Sequence, residues 1–272
     1  MHGLDREWLE QRFSIRQTER SDALLTVRAD AILTSEGAAA FLNEYALHLQ
    51  ATDVTAAAAY CCANFSWTAL ALHYSIGVWN VAFELPLSSI LLQLYRDQGQ
   101  LKFTFTLTDW IIEAGPEDAS ERSAWRDRKL AHYYSETARP LIESLSAVSG
   151  LDVSQLWGQL PTRFNYQFAL LEKELSHAGL PDGRSAADRL LDDYRAVCSE
   201  WDGSAFGRRS NPLNVNIRYI EDYRDPEAQV RMKNVCCLYY KTGKQEYCYT
   251  CPRLKAEDRE KVKERLLTAG KH

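Results

Sequence analysis

Near the C-terminal end of this 272-residue chain, Cys236, Cys237, Cys248 and Cys251 fall within sixteen residues in the spacing C-C-x10-C-x2-C. Four thiolates in one short window suit two kinds of centre, a tetrahedral zinc or an iron–sulfur cluster. The C-x2-C half serves either, because its short loop aims two sulfurs and several backbone N–H groups at one point, and Pro252 ends that loop sharply. The adjacent pair discriminates. Neighbouring side chains diverge in extended chain, and zinc sites usually carry C-x2–4-C spacing at both ends. A 2Fe–2S cluster has two irons, so one cysteine of the pair can reach each, or a bent backbone can bring both to one. The geometry leans to the cluster and leaves zinc open.

Other residues near the cysteines bear on what such a centre could act upon. Ten Lys and Arg lie between positions 208 and 255. Cations beside a cluster favour its reduced, more negative form, and they can hold an anionic chelate. Arg231 and Lys244 are the candidate substrate contacts by their place in sequence, while Glu221, Asp222 and Glu246 are available to pair with others. Tyr239, Tyr240, Tyr247 and Tyr249 crowd the same segment and can shield it from water. Cys61-Cys62 repeats the adjacent pair, but it sits inside AAAAYCCANF with no C-x2-C nearby, so both read as small packing residues, as does Cys198. His73, His132 and His177 lack ligand spacing. Trp67, Trp79, Trp125 and Trp201 are core residues by type, with lining of a ligand pocket as the alternative.

The elements that must position the cysteines are mostly helical. Apolar residues recur at helical spacing over 4–13, from Ser35 to Leu49, and from a Thr55 cap to about Tyr74. VWNVAFEL reads as a strand, and ILLQLY and LKFTFTL read as a hairpin around Gly99, with Leu101, Phe103, Phe105 and Leu107 on one buried face. A long amphipathic helix follows Gly115-Pro116, and Pro140 should kink or split it. Helices beginning near Pro161 and carrying Leu190 to Cys198 come next. NVNIRYI alternates as a strand. Asp225-Pro226-Glu227 resembles an N-cap with proline in the first turn, which predicts a short helix leading into the cysteines. Residues 256–268 read as a charged terminal helix. The fold class expected is α+β: a predominantly helical scaffold, a small antiparallel sheet and a C-terminal four-cysteine segment.

Charge divides the chain at about residue 202. Residues 1–202 carry 17 Lys+Arg against 28 Asp+Glu, and residues 203–272 carry 15 against 9. The acidic part argues against a general nucleic-acid binder, while the basic part would attract an anionic ligand or an acidic partner. The expected organisation is a scaffold over 1–202, bearing the substrate, and a cluster-binding segment over 203–272, with one continuous domain as the alternative. No apolar run is long and uncharged enough for a membrane span, and MHGLDREWLEQRF lacks a signal-peptide pattern, so a cytoplasmic protein is expected. In a reducing compartment clustered cysteines are metal ligands or redox groups rather than disulfides.

The stretch MKNVCCLYYKTGKQEYCYTCPR resembles the C-terminal signature of the FhuF-type ferric siderophore reductases. That family has an adjacent cysteine pair, a ten-residue spacer and a C-x2-C, and Cys236, Cys237, Cys248 and Cys251 match all four ligand positions of its 2Fe–2S cluster. The leading basic residues, Leu238, Tyr240 and Pro252 also resemble the family; the specific likeness covers about the last fifty residues. The resemblance implies one-electron reduction of an Fe(III)-siderophore and release of iron in the cytoplasm. No G-x-G-x-x-G precedes a βαβ unit, so the electron is expected from an external ferredoxin-like or flavoprotein donor. Two alternatives stand beside this expectation: a zinc-stapled siderophore-binding protein without redox activity, and an iron–sulfur sensor or interaction module.

Overall fold

A computed structural model describes residues 3–180, 183–243 and 245–269. The helices run α1 (Arg6–Phe13), α2 (Ser35–Leu49), α3 (Val54–Tyr74), α4 (Ala119–His132), α5 (Arg139–Ser149), α6 (Val153–Trp157), α7 (Gln159–Leu175), α8 (Ala186–Glu200) and α9 (Ala256–Ala269). The strands are β1 (Ile15–Arg16), β2 (Leu25–Arg28), β3 (Val81–Phe83), β4 (Ile90–Asp97), β5 (Gln100–Leu107), β6 (Ile112–Ala114), β7 (Tyr219–Asp222) and β8 (Asp225–Arg231). The class is α+β, as the sequence predicts.

The axis of the fold is α3, VTAAAAYCCANFSWTALALHY, which is apolar on nearly every side. Such a helix is stable only when wrapped. Here α1, α2, α5, α6, α7 and α8 pack around it, with the edge of a sheet. Cys61 and Cys62 are fully buried in that contact. Burial raises both thiols, Cys61 to about 12, so neither is a reactive thiolate. The packing role expected from sequence holds for both.

The main sheet has the order β1-β5-β4-β2. The β4/β5 hairpin closes through Gln98 and Gly99, both at positive φ, the turn geometry that matches the twist of the strands. The sheet is mixed rather than antiparallel, because β1 joins β5 in parallel. Alternation along β5 also understates its burial. Thr104 and Thr106 are both buried, since the chain after α1 crosses that face and accepts from Thr104 Oγ1 through Ser14 O at 2.8 Å, while Thr106 donates to Gln93 Oε1 at 3.0 Å.

Pro140 acts where expected. It has no N–H, and its ring would strike the carbonyl one turn earlier. The chain absorbs this in a wide π turn over Tyr133–Ala138, with the Arg139 N–H donating to Tyr134 O. The turn aims Tyr133 and Tyr134 at α3, where their hydroxyls meet Thr68 Oγ1 at 2.7 Å and His73 Nε2 at 2.9 Å. A second π turn ends α3 over Ser75–Trp79 and takes up the start of VWNVAFEL, leaving only Val81–Phe83 as strand. The caps shift by a residue or two: Thr34, not Ser35, accepts from Gly37 N at 3.0 Å, and Asp53, not Thr55, caps α3.

One expectation near the cysteines is overturned. Residues 225–231 form strand β8, not a helix, paired antiparallel with β7 from Tyr219↔Arg231 to Asp222↔Asp225. The capping signal is used in a turn, where Asp225 Oδ1 accepts from Glu227 N at 3.1 Å. Pro226 is tolerated because an edge strand needs no donor there. NVNIRYI contributes only its last two residues to β7.

Candidate metal centre

The β7/β8 hairpin delivers the chain to Lys233 and then to the cysteine pair. Cys236 and Cys237 follow outside any helix or strand, and Leu238 turns sharply with φ of 58°. A branched residue in the left-handed region is unfavourable unless packing enforces it. Leu238 is buried with Cys236 and Cys251 against Ala56 and Ala59 of α3, whose small side chains allow the loop to approach closely. Gln155 and Gln159, from α6 and α7, both donate through Nε2 to Cys236 O at 3.1 Å. Lys241 anchors the far side, donating to Asp53 Oδ2 at 2.7 Å at the start of α3.

The C-x2-C loop is a turn closed by Cys251 N donating to Cys248 O at 3.0 Å. It is tied to the first pair by Lys233 N donating to Thr250 O at 3.0 Å. Arg259 of α9 clamps it from outside, donating to Cys251 O at 3.2 Å, to Leu254 O at 3.0 Å and to Tyr249 O. Tyr249 OH reaches back to Glu221 O of β7 at 2.8 Å. Tyr240 and Tyr247 lie against each other, with ring centroids 4.6 Å apart, beside this cluster.

The four thiols come together as two pairs. Cys251 Sγ lies 3.7 Å from Cys236 Sγ. Cys237 and Cys248 interact electrostatically with one another and with the Lys233 ammonium, whose Nζ lies 2.9 Å from Cys237 Sγ. The neighbouring side chains of Cys236 and Cys237 have different partners in the C-x2-C loop, Cys251 and Cys248. Cys236, Cys237 and Cys251 are buried, while Cys248 is half-buried and is the thiol nearest to solvent.

The electrostatics differ between the pairs. The interaction with Cys248, reinforced by Lys233, holds the Cys237 thiol well below the ordinary thiol range despite its burial. Cys248 moves up for the complementary reason, and burial lifts Cys236 to about 11. Burial alone would lower Lys233, but Cys237 and Cys248 outweigh it and keep the ammonium charged.

One of the pairs has the separation of two ligands on one metal. Two thiolates on one tetrahedral metal at about 2.3 Å stand about 3.8 Å apart, which matches Cys236 and Cys251. Among the described residues no three His, Cys, Asp or Glu side chains are gathered as a group that could hold a metal ion.

Lys233 is the site residue that sequence reasoning under-weighted; its position four residues before Cys237 was the available signal. Arg231, favoured instead, donates to Asn165 O of α7 and lies over the Tyr219 ring at 5.9 Å, lining a crevice of about 10 Å³. Lys244 lies outside the described residues. Of the tryptophans singled out, Trp79 lines a wide cleft at the other end of α3, Trp67 faces the Arg163 guanidinium at 4.4 Å, Trp125 is buried and bonded to Glu113 at 2.7 Å, and Trp201 packs on the core. Trp157, unremarked in sequence, is fully buried beside the cysteines' supporting helices. No helix is long and apolar enough to cross a membrane among the described residues. No family model and no curated protein matches the chain.

Proposed function

We propose that this chain is a 2Fe–2S protein of the ferric siderophore reductase kind, acting in the cytoplasm on an Fe(III)-siderophore. The observation that carries the reading is the gathering of the four thiols, three of them buried, with Cys236 beside Cys251 and Cys237 interacting with Cys248. A [2Fe–2S] cluster held by the four supplies one electron at a time. The chain's own part is to hold the thiolates, exclude water and place positive charge. Lys233 neutralises the Cys237/Cys248 pair, the tilted Tyr240–Tyr247 pair packs on one side, and the half-buried Cys248 marks where the site opens. The substrate iron takes one electron, Fe(III) to Fe(II), and hard oxygen ligands hold the product less tightly. That electron enters from an external ferredoxin-like or flavoprotein donor. The match of all four cysteines to the reductase signature adds support from sequence.

Anaerobic purification with iron, sulfide and zinc analysis tests the reading. Two irons per chain, visible charge-transfer absorption and an EPR signal on reduction are expected, with stoichiometric reoxidation by a ferric siderophore. Cys251→Ser should lose the iron and Cys61→Ala should keep it. One zinc per colourless chain would overturn the reading in favour of a zinc-stapled binder. A reducible cluster that ferric siderophores do not reoxidise would favour a sensor or interaction module.

A further inference from the structure

Beside the cysteines, a cleft of about 440 Å³ opens between the α6–α7 junction and the loop that precedes β7. That volume suits a small molecule rather than a protein surface. Trp157 and Gly158 form one wall, Arg208, Arg209 and Ser210 the other, and Asn234 the end nearest the metal centre. Asn234 precedes Cys236 by two residues, so their Cα atoms are at most about 7.6 Å apart.

The cleft is built rather than incidental. A side chain at Gly158 would strike Val235, with Cγ1 2.6 Å from the added carbon, so glycine there lets the cysteine segment lie against the helix junction. The arginine loop is folded on itself by Arg208 N donating to Gly203 O at 2.9 Å, and Gly207 turns at φ of 62°. Arg208 is held in place by Ser154 Oγ at 2.9 Å. Arg209 is exposed and has no partner among the described residues. Trp157 is fully buried against Tyr134 and Phe206 and gives the cleft a rigid wall. The lining contains donors and no carboxylate; the acid nearest in effect is Asp152, which Arg208 influences from outside it. Guanidinium groups without carboxylates are complementary to an anion rich in oxygen.

The larger cleft, lined by Trp79, is a poorer candidate. Its Arg122 and Arg126 are both engaged by Asp193. It also lies at the opposite end of α3, about 28 Å along the helix from Ala59.

We propose that the cleft of Trp157, Arg208, Arg209 and Asn234 binds the negatively charged, oxygen-rich ligand shell of the ferric chelate, so that this protein selects anionic chelates over neutral ones. The inference rests on the reductase reading above. Bidentate guanidinium contacts hold catecholate or carboxylate oxygens, and Asn234 sets the chelate beside Cys236. An acidic donor protein is the other partner a basic patch could serve, but a concave site of this volume favours the small chelate.

The test uses gallium(III) chelates, which bind like the ferric ones but accept no electron, titrated calorimetrically into the full-length protein as purified. A gallium tris-catecholate complex should bind at least tenfold more tightly than a neutral gallium trihydroxamate. Arg209→Ala and Arg208→Ala/Arg209→Ala should weaken the anionic complex at least tenfold, leave the neutral one unchanged and reduce the salt dependence. Unchanged circular dichroism in Arg209→Ala shows that the fold is kept. Equal binding of both chelates, or no loss in the double variant, would overturn the inference. So would a variant that binds the chelate normally but accepts electrons more slowly from an acidic ferredoxin. Chelate binding that follows the arginines in a protein without iron would leave the cleft assignment standing and sink the cluster reading; a protein with a normal cluster and indifferent arginines would do the reverse.

Discussion

Lys233 sits four residues before Cys237, and its ammonium interacts with the Cys237 and Cys248 thiols. On the proposed function its charge stabilises the site most when an electron is added. A charge-assisted hydrogen bond is worth roughly 1.5–3 kcal/mol, and the part of it that differs between oxidation states converts to a potential shift on the order of 50–100 mV for one electron. We therefore predict that Lys233→Met lowers the midpoint potential by that order with iron content retained, as read by EPR-monitored redox titration. A potential unmoved by the substitution would make Lys233 a packing residue only. The four cysteines were legible in sequence because their spacing is itself the signal. Lys233 was not distinguishable from nine other cations, because which of them turns inward depends on the β7/β8 hairpin and not on composition.

Among the elements, α4 and α8 are joined to the end of α3 by one buried ionic cluster. Arg122 donates to Asp193 through Nη1 at 3.0 Å, to Ile76 O at 3.0 Å and to Asn80 Oδ1 at 2.9 Å, and Arg126 donates to Asp193 at 2.9 Å. Burial pushes against the charged carboxylate, but the two guanidinium groups outweigh it and Asp193 is held below the usual range. Removing Asp193 leaves two buried positive charges facing each other. Asp193→Ala is expected to destabilise the protein by about 3–5 kcal/mol, measured by urea denaturation; a loss below about 1 kcal/mol would mean that water takes over the pairing. The helices themselves were readable from periodicity, and Pro140 announced the break between α4 and α5. The β8 segment was misread because Asp225-Pro226-Glu227 satisfies the local rules for a helix start, while pairing with β7 offers a ladder that local rules do not contain.

For the molecule as a whole, the packed centre carries one titratable switch. His73 is buried among the rings of Tyr134, Phe164, Phe168 and Tyr194. Burial lowers its pKa to about 3, against a partial opposing pull from Asp193. The unfolded chain, with His near 6.5, binds a proton that the folded protein refuses. The stabilisation is fully present above pH 6.5 and falls at about 1.4 kcal/mol per pH unit as the medium is acidified towards 3. We predict that urea midpoints drop between pH 7.5 and 5 in the native protein and drop much less in His73→Phe. An equal slope in both would assign the acid sensitivity to other groups. Charge asymmetry also belongs to this scale. The basic last seventy residues meet the acidic scaffold at specific points, such as Lys241 on Asp53, and the exposed Arg209 lines the cleft.

The sequence alone determined the helical class, the wrapped central helix, the hairpin at Gly99 and the identity of the four thiols. Those properties depend on periodicity, turn chemistry and spacing along one stretch of chain. Tertiary structure decided that Cys236 faces Cys251 while Cys237 faces Cys248, that Lys233 rather than Arg231 touches the sulfurs, and that Trp157 and Arg208 share a cleft. The physical reason is that each of these relations joins residues far apart in the chain or divergent at adjacent positions. Their meeting is set by how α3, the α6–α7 junction and the β7/β8 hairpin pack, which no local pattern encodes.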